Sequence, residues 1–444
     1  MLKRKIDSYL FDWKNKKNHK PLIIKGSRQV GKTTSIEEFG KTYESFVEIN
    51  FKENPEYTQC FSNYNPIDIV KKISLLNPDF KFLPNNTLIL FDEIQEFPDA
   101  ITSFKFFYQQ GLYDLVASGS LLGISYKKIS SIPVGFKEEY EMRSLDFEEY
   151  LWACGYEQNF IDDILSSLKH FKQLDKTAFD VLDQKYKEYL FLGGMPEVVY
   201  SFINTNNYNE PFSIQKRIYK DYEDDIIKYV EGLDVAKVKN IYRSITPQLS
   251  KDNHKFQISK ISHGAKSRDY NGCHEWLVDA GLINVCNNIN NLELPFELYK
   301  KDDHFRCYYA DHGLFIASLD DEDRKTIIKN NDLNIYNGAL YESLVSESLV
   351  KQGYKLYFYK NESSTIELDF LIRKDDCILP IEVKRQRGRA TSLINCINNS
   401  DINIKKGIKL TYQNISKNGD FITMPYFLCF LLRRFLDDLD INKI

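Results

Sequence analysis

The chain has 444 residues, enough for about three domains with separate cores. Hydrophobic residues make up 43% and charged residues 27%, and a net charge of −4 means that a nucleic-acid partner must be met by a local basic patch. No run reaches the roughly 18 apolar residues of a membrane helix, and the N-terminal MLKRKIDSYL lacks a signal-peptide core. The eight cysteines show neither a CxxC pair nor zinc spacing, so isolated thiols in a reducing cytoplasm are expected.

In chain order, Pro21-Leu22-Ile23-Ile24-Lys25 reads as a strand, Lys32 to Tyr43 as a helix and Phe46 to Phe51 as a second strand. Thr87-Leu88-Ile89-Leu90-Phe91 is a third strand, followed by a helix from about Asp99 to Gln110, and Leu115 to Ser118 is a fourth. Short apolar runs alternating with helical patterns predict an α/β fold with a mostly parallel sheet. Glu157 to Gly232 reads as helical and charged, broken by Gly193-Gly194-Met195-Pro196. Ala236 to Pro295 reads as a small helical module ending in a hairpin, and mixed helix and strand return from Asn334. The expected domains are 1–156, a P-loop core; 157–235, a helical lid; 236–320, a winged-helix-like module; and 321–444, an α/β domain.

Gly26-Ser27-Arg28-Gln29-Val30-Gly31-Lys32-Thr33 fits G-x-x-x-x-G-K-[ST] between a strand and a helix. Its glycines let the backbone N–H groups wrap a phosphate, and the helix N-terminus adds positive potential. Gly26 to Thr34 are therefore the expected ATP-binding residues, with Lys32 reaching the β- and γ-phosphates and Thr33 ligating Mg²⁺. The third strand ends in Asp92-Glu93, at the edge where open α/β sheets bind ligands. Asp92 is the expected second Mg²⁺ ligand, Glu93 the residue that activates water, and Ser118 in Ser118-Gly119-Ser120 a polar sensor of the γ-phosphate.

The segments GSRQVGKTT, LILFDEIQ, SGSLLG, SIPVGF…MRSLDFEEYL and FLGGMPEVV resemble a large family of prokaryotic AAA+ ATPases of archaeal type that carry a nuclease-like C-terminal domain. Gln95 matches the last position of that family's DEIQ motif, and Leu192 to Pro196 matches its lid motif. Many relatives have a basic residue after the glycine of the PVG segment. Here Gly135 is followed by Phe136, which leaves Arg143 and Arg217 as candidates for a trans-acting arginine. The stretch from Ser259 to Ile283 suggests a helix-turn-helix with a wing, with Trp276 in its core.

A second constellation lies near the C-terminus. Glu382 and Lys384 flank Val383 at a strand end and share one face, because strand side chains alternate. Asp369 opens a neighbouring strand, and Glu342 lies in an amphipathic helix from Ala339 to Lys351. Carboxylates so placed bind a hard cation, with Asp369 and Glu382 as ligands. Glu342, Asp369, Glu382 and Lys384 resemble the PD-(D/E)XK nuclease pattern of Holliday-junction resolvases, although Leu368 replaces the proline before the aspartate. Arg385, Arg387 and Arg389 form a basic run beside them.

These resemblances imply ATP and Mg²⁺ as cofactors, DNA of duplex or branched form as a partner, no membrane, and a homo-oligomer. The competing reading is a nucleotide-controlled switch whose C-terminal domain binds DNA or protein without cutting.

Overall fold

In the computed structural model the described residues are 1–121, 133–251, 255–261, 264–330, 337–361, 366–384, 388–399, 402 and 404–439. They divide into two units, one of Met1–Ser144 with Asp279–Gly281, the other of Leu145–Val278 with Leu282–Ile444.

The first unit is built on five parallel strands: β1 (Leu22–Gly26), β2 (Ser45–Asn50), β3 (Thr87–Asp92), β4 (Asp114–Ser120) and β5 (Glu138–Glu141). Their order is β2-β3-β4-β1-β5, so β4 separates the P-loop strand from the acidic strand. Every residue of β3 is buried, as the covered faces of a parallel sheet demand. One core packs around Ile49, Phe51, Phe91, Phe104 and Phe107. The four strands read from periodicity are present. The fifth, Glu-Glu-Tyr-Glu, carries no apolar run because it is an edge strand, where charge discourages further pairing. Lys25 and Lys137 both pair with its Glu139.

Two further elements lay hidden in charged sequence. Lys5–Asn15 is a helix whose Ile6, Leu10 and Trp13 form a buried stripe at helical spacing. Pro66–Leu76 is another, with Asn65 as N-cap accepting from Ile67 N. The helix expected over 99–110 is a 3₁₀ stretch, Pro98–Ser103, followed by an α-helix, Phe104–Gln110.

The second unit opens with helices Phe147–Ala153, Gln158–Lys169, Lys176–Leu192, Pro196–Thr205, Asn209–Tyr229 and Val235–Leu249. It continues into eight strands: β6 (Ile283–Ile289), β7 (Lys300–Tyr309), β8 (Tyr357–Lys360), β9 (Glu367–Lys374), β10 (Cys377–Val383), β11 (Gly407–Thr411), β12 (Ser416–Asn418) and β13 (Phe421–Pro425). These form one sheet in the order β12-β13-β11-β10-β9-β8-β6-β7. The β6–β7 hairpin, read from sequence as a wing, is thus the edge of that sheet, with β6 parallel to β8. The segment expected as a helix-turn-helix holds, among its described residues, the 3₁₀ turns Ile258–Lys260 and Ser267–Tyr270 and one α-helix, Cys273–Asp279. Trp276, in that helix, is half-buried. Gly264 and Gly272, both at positive φ, break the backbone into turns.

The double glycine after Lys176–Leu192 is held by one side chain and one backbone N–H distant in sequence. Asp311 accepts from Gly194 N at 2.8 Å and from Gly313 N at 2.9 Å, and Leu145 N donates to Gly194 O at 2.7 Å. Next to this turn His312 is fully buried. Its Nδ1 faces Glu347 Oε2 at 2.7 Å and its Nε2 faces the Tyr189 carbonyl at 2.8 Å. Two acceptors on one ring require both nitrogens to donate, so the imidazole is held as a cation. No described helix is long and apolar enough to cross a membrane.

Candidate nucleotide site and a second carboxylate cluster

β1 ends at Gly26, and the loop to Val30 leads into the helix Lys32–Gly40. A side chain at Gly26 would strike the Met142 carbonyl, its Cβ 2.2 Å from that oxygen, so this turn accepts only glycine. Gly31 caps the helix at φ +91°, and Gln29 also lies in left-handed space at φ +62°. The loop is braced from beneath by Arg4. This buried guanidinium donates to the Val30 carbonyl at 2.8 Å and the Arg143 carbonyl at 2.7 Å. Ser27 and Val30 are buried, Arg28 and Gln29 half-buried, and Thr34 is exposed.

Lys32 Nζ donates to the carbonyls of Gly26 at 3.1 Å and Ser27 at 2.8 Å. Burial draws its pKa down from 10.5 to about 8, against the opposing pull of Glu93 and Asp92. Asp92 closes β3 and is almost fully buried. Three side chains converge on it. Thr33 Oγ1 lies 3.3 Å from each of its oxygens, Asn50 Nδ2 donates at 3.3 Å, and the Ser118 hydroxyl donates to Oδ1. Burial raises its pKa, an effect the Ser118 hydrogen bond opposes. Glu93 follows in left-handed backbone, φ +51° and ψ +44°, a conformation that stores strain in a side-chain-bearing residue. The donor set of Thr33 and Asp92 is all oxygen, which fits a hard cation such as Mg²⁺. Lys32, Thr33, Asp92, Glu93 and Ser118, chosen from separate motifs, therefore share one sheet edge.

The second cluster is also drawn together. Strands β9 and β10 are antiparallel with Ile381 opposite Phe370, and Asp369 Oδ2 accepts from Val383 N at 2.8 Å. Lys384 Nζ lies 2.8 Å from Glu382 Oε1, as the shared strand face requires. Glu382 is buried and also accepts from Leu393 N at 3.2 Å.

An unforeseen cation sits among these acids. Arg306 on β7 is 2% exposed. Its Nη1 lies 3.2 Å from Glu342 Oε2 and 3.9 Å from Asp369 Oδ1, and its Nη2 pairs with Glu367. Tyr308 donates to the same Glu342 oxygen at 3.2 Å, and the guanidinium stacks over Phe358, 4.4 Å from the ring centre. Burial and the Glu342 charge push Asp369 up to about 7, against Arg306 and Lys384. Among the described residues no group of three or more His, Cys, Asp or Glu side chains is arranged to hold a metal ion. A guanidinium therefore stands between Glu342 and Asp369, two of the acids of the nuclease pattern.

Sequence reasoning missed Arg306, Arg4 and Asn50. One signal for Arg306 existed, since a lone charge inside Phe305-Arg306-Cys307-Tyr308-Tyr309 must find a buried partner. Arg385 and Arg387 lie outside the described residues, and Arg389 is exposed. Arg143 pairs with Glu141 at 2.7 Å and Arg217 with Glu197, each within its own unit.

Residues 18–151 match a family described as "AAA domain". Residues 183–325 and 337–427 match two domains of unknown function, DUF8612 and DUF4143. No curated protein matches the chain. Among solved structures, "The walker-type atpase paby2304 of pyrococcus abyssi" aligns with a TM-score of 0.43 at 12% identity, over 72% of this chain and 96% of that one. The S. cerevisiae Hsp104-ADP complex aligns at 0.28 and 13%, over 63% and 38%, and C. elegans PCH-2 at 0.23 and 10%, over 62% and 66%.

Proposed function

We propose that this chain, whose residues 18–151 match the AAA domain, is a Mg²⁺-dependent ATP hydrolase that works as an oligomer on DNA. The observation that carries the reading is the convergence of Thr33, Ser118 and Asn50 on Asp92, beside a lysine whose hydrogen bonds among the described residues go to the Gly26 and Ser27 carbonyls. Lys32 gives up its two carbonyl partners for the β- and γ-phosphates, whose charge outweighs a neutral acceptor. Thr33 and Asp92 would hold Mg²⁺, which neutralises charge on the phosphate oxygens. Glu93 orients the attacking water and takes its proton. Ser118, already bonded to Asp92, reports the γ-phosphate to β4.

For the C-terminal region we propose DNA binding without cleavage, in which the exposed Arg389, shortly after the end of β10, supplies a phosphate contact. Arg306 favours this over a metal-dependent nuclease, because the cation the acids require is already covalently part of the chain.

The test is the rate of ATP hydrolysis with and without duplex or four-way-junction DNA, beside Lys32→Ala and Glu93→Gln, with the DNA afterwards run on gels. Stimulation by DNA, a loss of about 100-fold or more in both variants, and intact DNA with Mg²⁺ or Mn²⁺ are the expected results. Hydrolysis that ignores DNA removes DNA from the reading, and cleavage lost in Glu382→Ala restores the nuclease.

A further inference from the structure

Gln95 sits in the 3₁₀ turn Ile94–Glu96 directly after Glu93 and is 8% exposed. Its amide is used at both ends. Nε2 donates to Glu93 Oε2, and Oε1 accepts from the backbone N–H of Ser120 at 3.1 Å. The orientation is unambiguous, since a flipped amide would set oxygen against carboxylate and N–H against N–H. Ser120 is the last residue of β4 and stands opposite Gly26 in the β1–β4 register. The next residue, Leu121, donates its N–H to the Gly26 carbonyl at 3.3 Å. One amide therefore joins the side chain proposed to activate water to the strand end that flanks the first glycine of the phosphate loop.

We infer that Gln95 is a positioning residue for ATP hydrolysis, holding the Glu93 carboxylate in place and tying it to the β4 end beside the P-loop; the inference rests on the proposed role of Glu93. Glu93 needs such a tether. It lies just past the end of β3 in left-handed backbone, outside the regular ladder, and among the described residues Gln95 is the group that donates to Glu93 Oε2. A carboxylate that must meet a water within hydrogen-bond distance loses rate steeply when its position relaxes, by about 100-fold for a displacement near 1 Å. The tether also gives the loop a route to the base. A shift of Gly26 on phosphate binding moves its register partner Ser120, and Gln95 passes that movement to Glu93.

Two substitutions separate this role from simple bracing of the turn. Gln95→Glu keeps an oxygen to accept from Ser120 N–H, but turns an acceptor and a like charge toward Glu93. Gln95→Met keeps the size and loses both bonds. The measurements are kcat and KM for Mg·ATP, the affinity for a fluorescent ADP analogue, and melting temperature, each also made in the Glu93→Gln background.

We expect both variants to lose about 10- to 100-fold in kcat, with KM and ADP affinity within about twofold of the parent. Adding Gln95→Met to Glu93→Gln should cost nothing further, because Gln95 acts through Glu93. Wild-type kcat in Gln95→Glu overturns the inference, and so does a further fall in the double variant. A wild-type chain that binds nucleotide yet hydrolyses none overturns the proposed function itself, and the inference with it.

Discussion

The phosphate-loop centre and the β9–β10 cluster use the same parts, carboxylates at strand ends with a lysine beside them, and reach opposite electrostatic states. Among the described residues Lys32 is hydrogen-bonded to neutral carbonyls, and its pKa is depressed to about 8 by burial. Lys384 is also partly buried, but the Asp369 charge and the Glu382 hydrogen bond raise its pKa. At β9–β10 the Arg306 guanidinium adds a second internal cation, set against Glu342 and Glu367, although burial and Glu342 still push Asp369 up to about 7. Similar residue types therefore do not mean similar sites. A ligand site keeps a desolvated charge short of counter-charge, whereas a closed network spends its charges on each other.

The largest expected effect comes from opening the closed network. Arg306→Met leaves Glu342 and Asp369 buried without their cation and is expected to cost about 3–5 kcal/mol in denaturant unfolding. Part of that loss should be recovered by added Mn²⁺, which then finds free carboxylates, while the parent's stability should not respond to Mn²⁺. A parent stabilised by Mn²⁺ in the absence of nucleotide breaks the comparison.

A second internal ion set sharpens it. His312 is fully buried, and burial alone would lower its pKa; the Glu347 charge and hydrogen bond reverse this and raise it above the ordinary 6.5. Glu347 is held down to about 2, with Lys351 the strongest favourable influence against burial. The folded imidazole binds its proton more tightly than the unfolded one. Its stabilisation is therefore complete below about pH 6.5 and is lost as pH rises through the raised value. Melting temperature should fall by a few degrees between pH 6 and 9, and His312→Gln should flatten that dependence. A profile unchanged by the substitution would show that the pair carries no net proton linkage.

The smallest effect concerns the open centre. With its pKa near 8, Lys32 takes up a proton when polyphosphate binds. ATP affinity should drop about fourfold from pH 7 to 8.5, and calorimetry in buffers of differing ionisation enthalpy should register the uptake. Proton release on binding contradicts this electrostatic account.

How much of this was legible in the sequence follows from the range of the interactions. The phosphate loop, the acidic strand end and the first four strands are local patterns, a fixed glycine spacing or an unbroken apolar run, and they stand where expected. The pairing of Glu382 with Lys384 is likewise a two-residue alternation. Arg306 reaches Glu342 across 36 residues and Glu367 across 61, and no local period encodes such partners. Arg4 bracing Val30 and the charged edge strand β5 escaped for the same reason, because tertiary context decides both. Gln95 was visible as a motif position, but its bond to Ser120 exists only once β4 lies beside β3.

The most direct test of the contrast is Mn²⁺ binding followed by electron paramagnetic resonance on the wild-type chain, with and without ADP, beside Asp92→Asn and Asp369→Asn. The account predicts one bound ion that requires nucleotide, disappears in Asp92→Asn and persists in Asp369→Asn. An ion that binds without nucleotide, survives Asp92→Asn and is lost in Asp369→Asn would contradict it, and would return the C-terminal cluster to the class of metal sites.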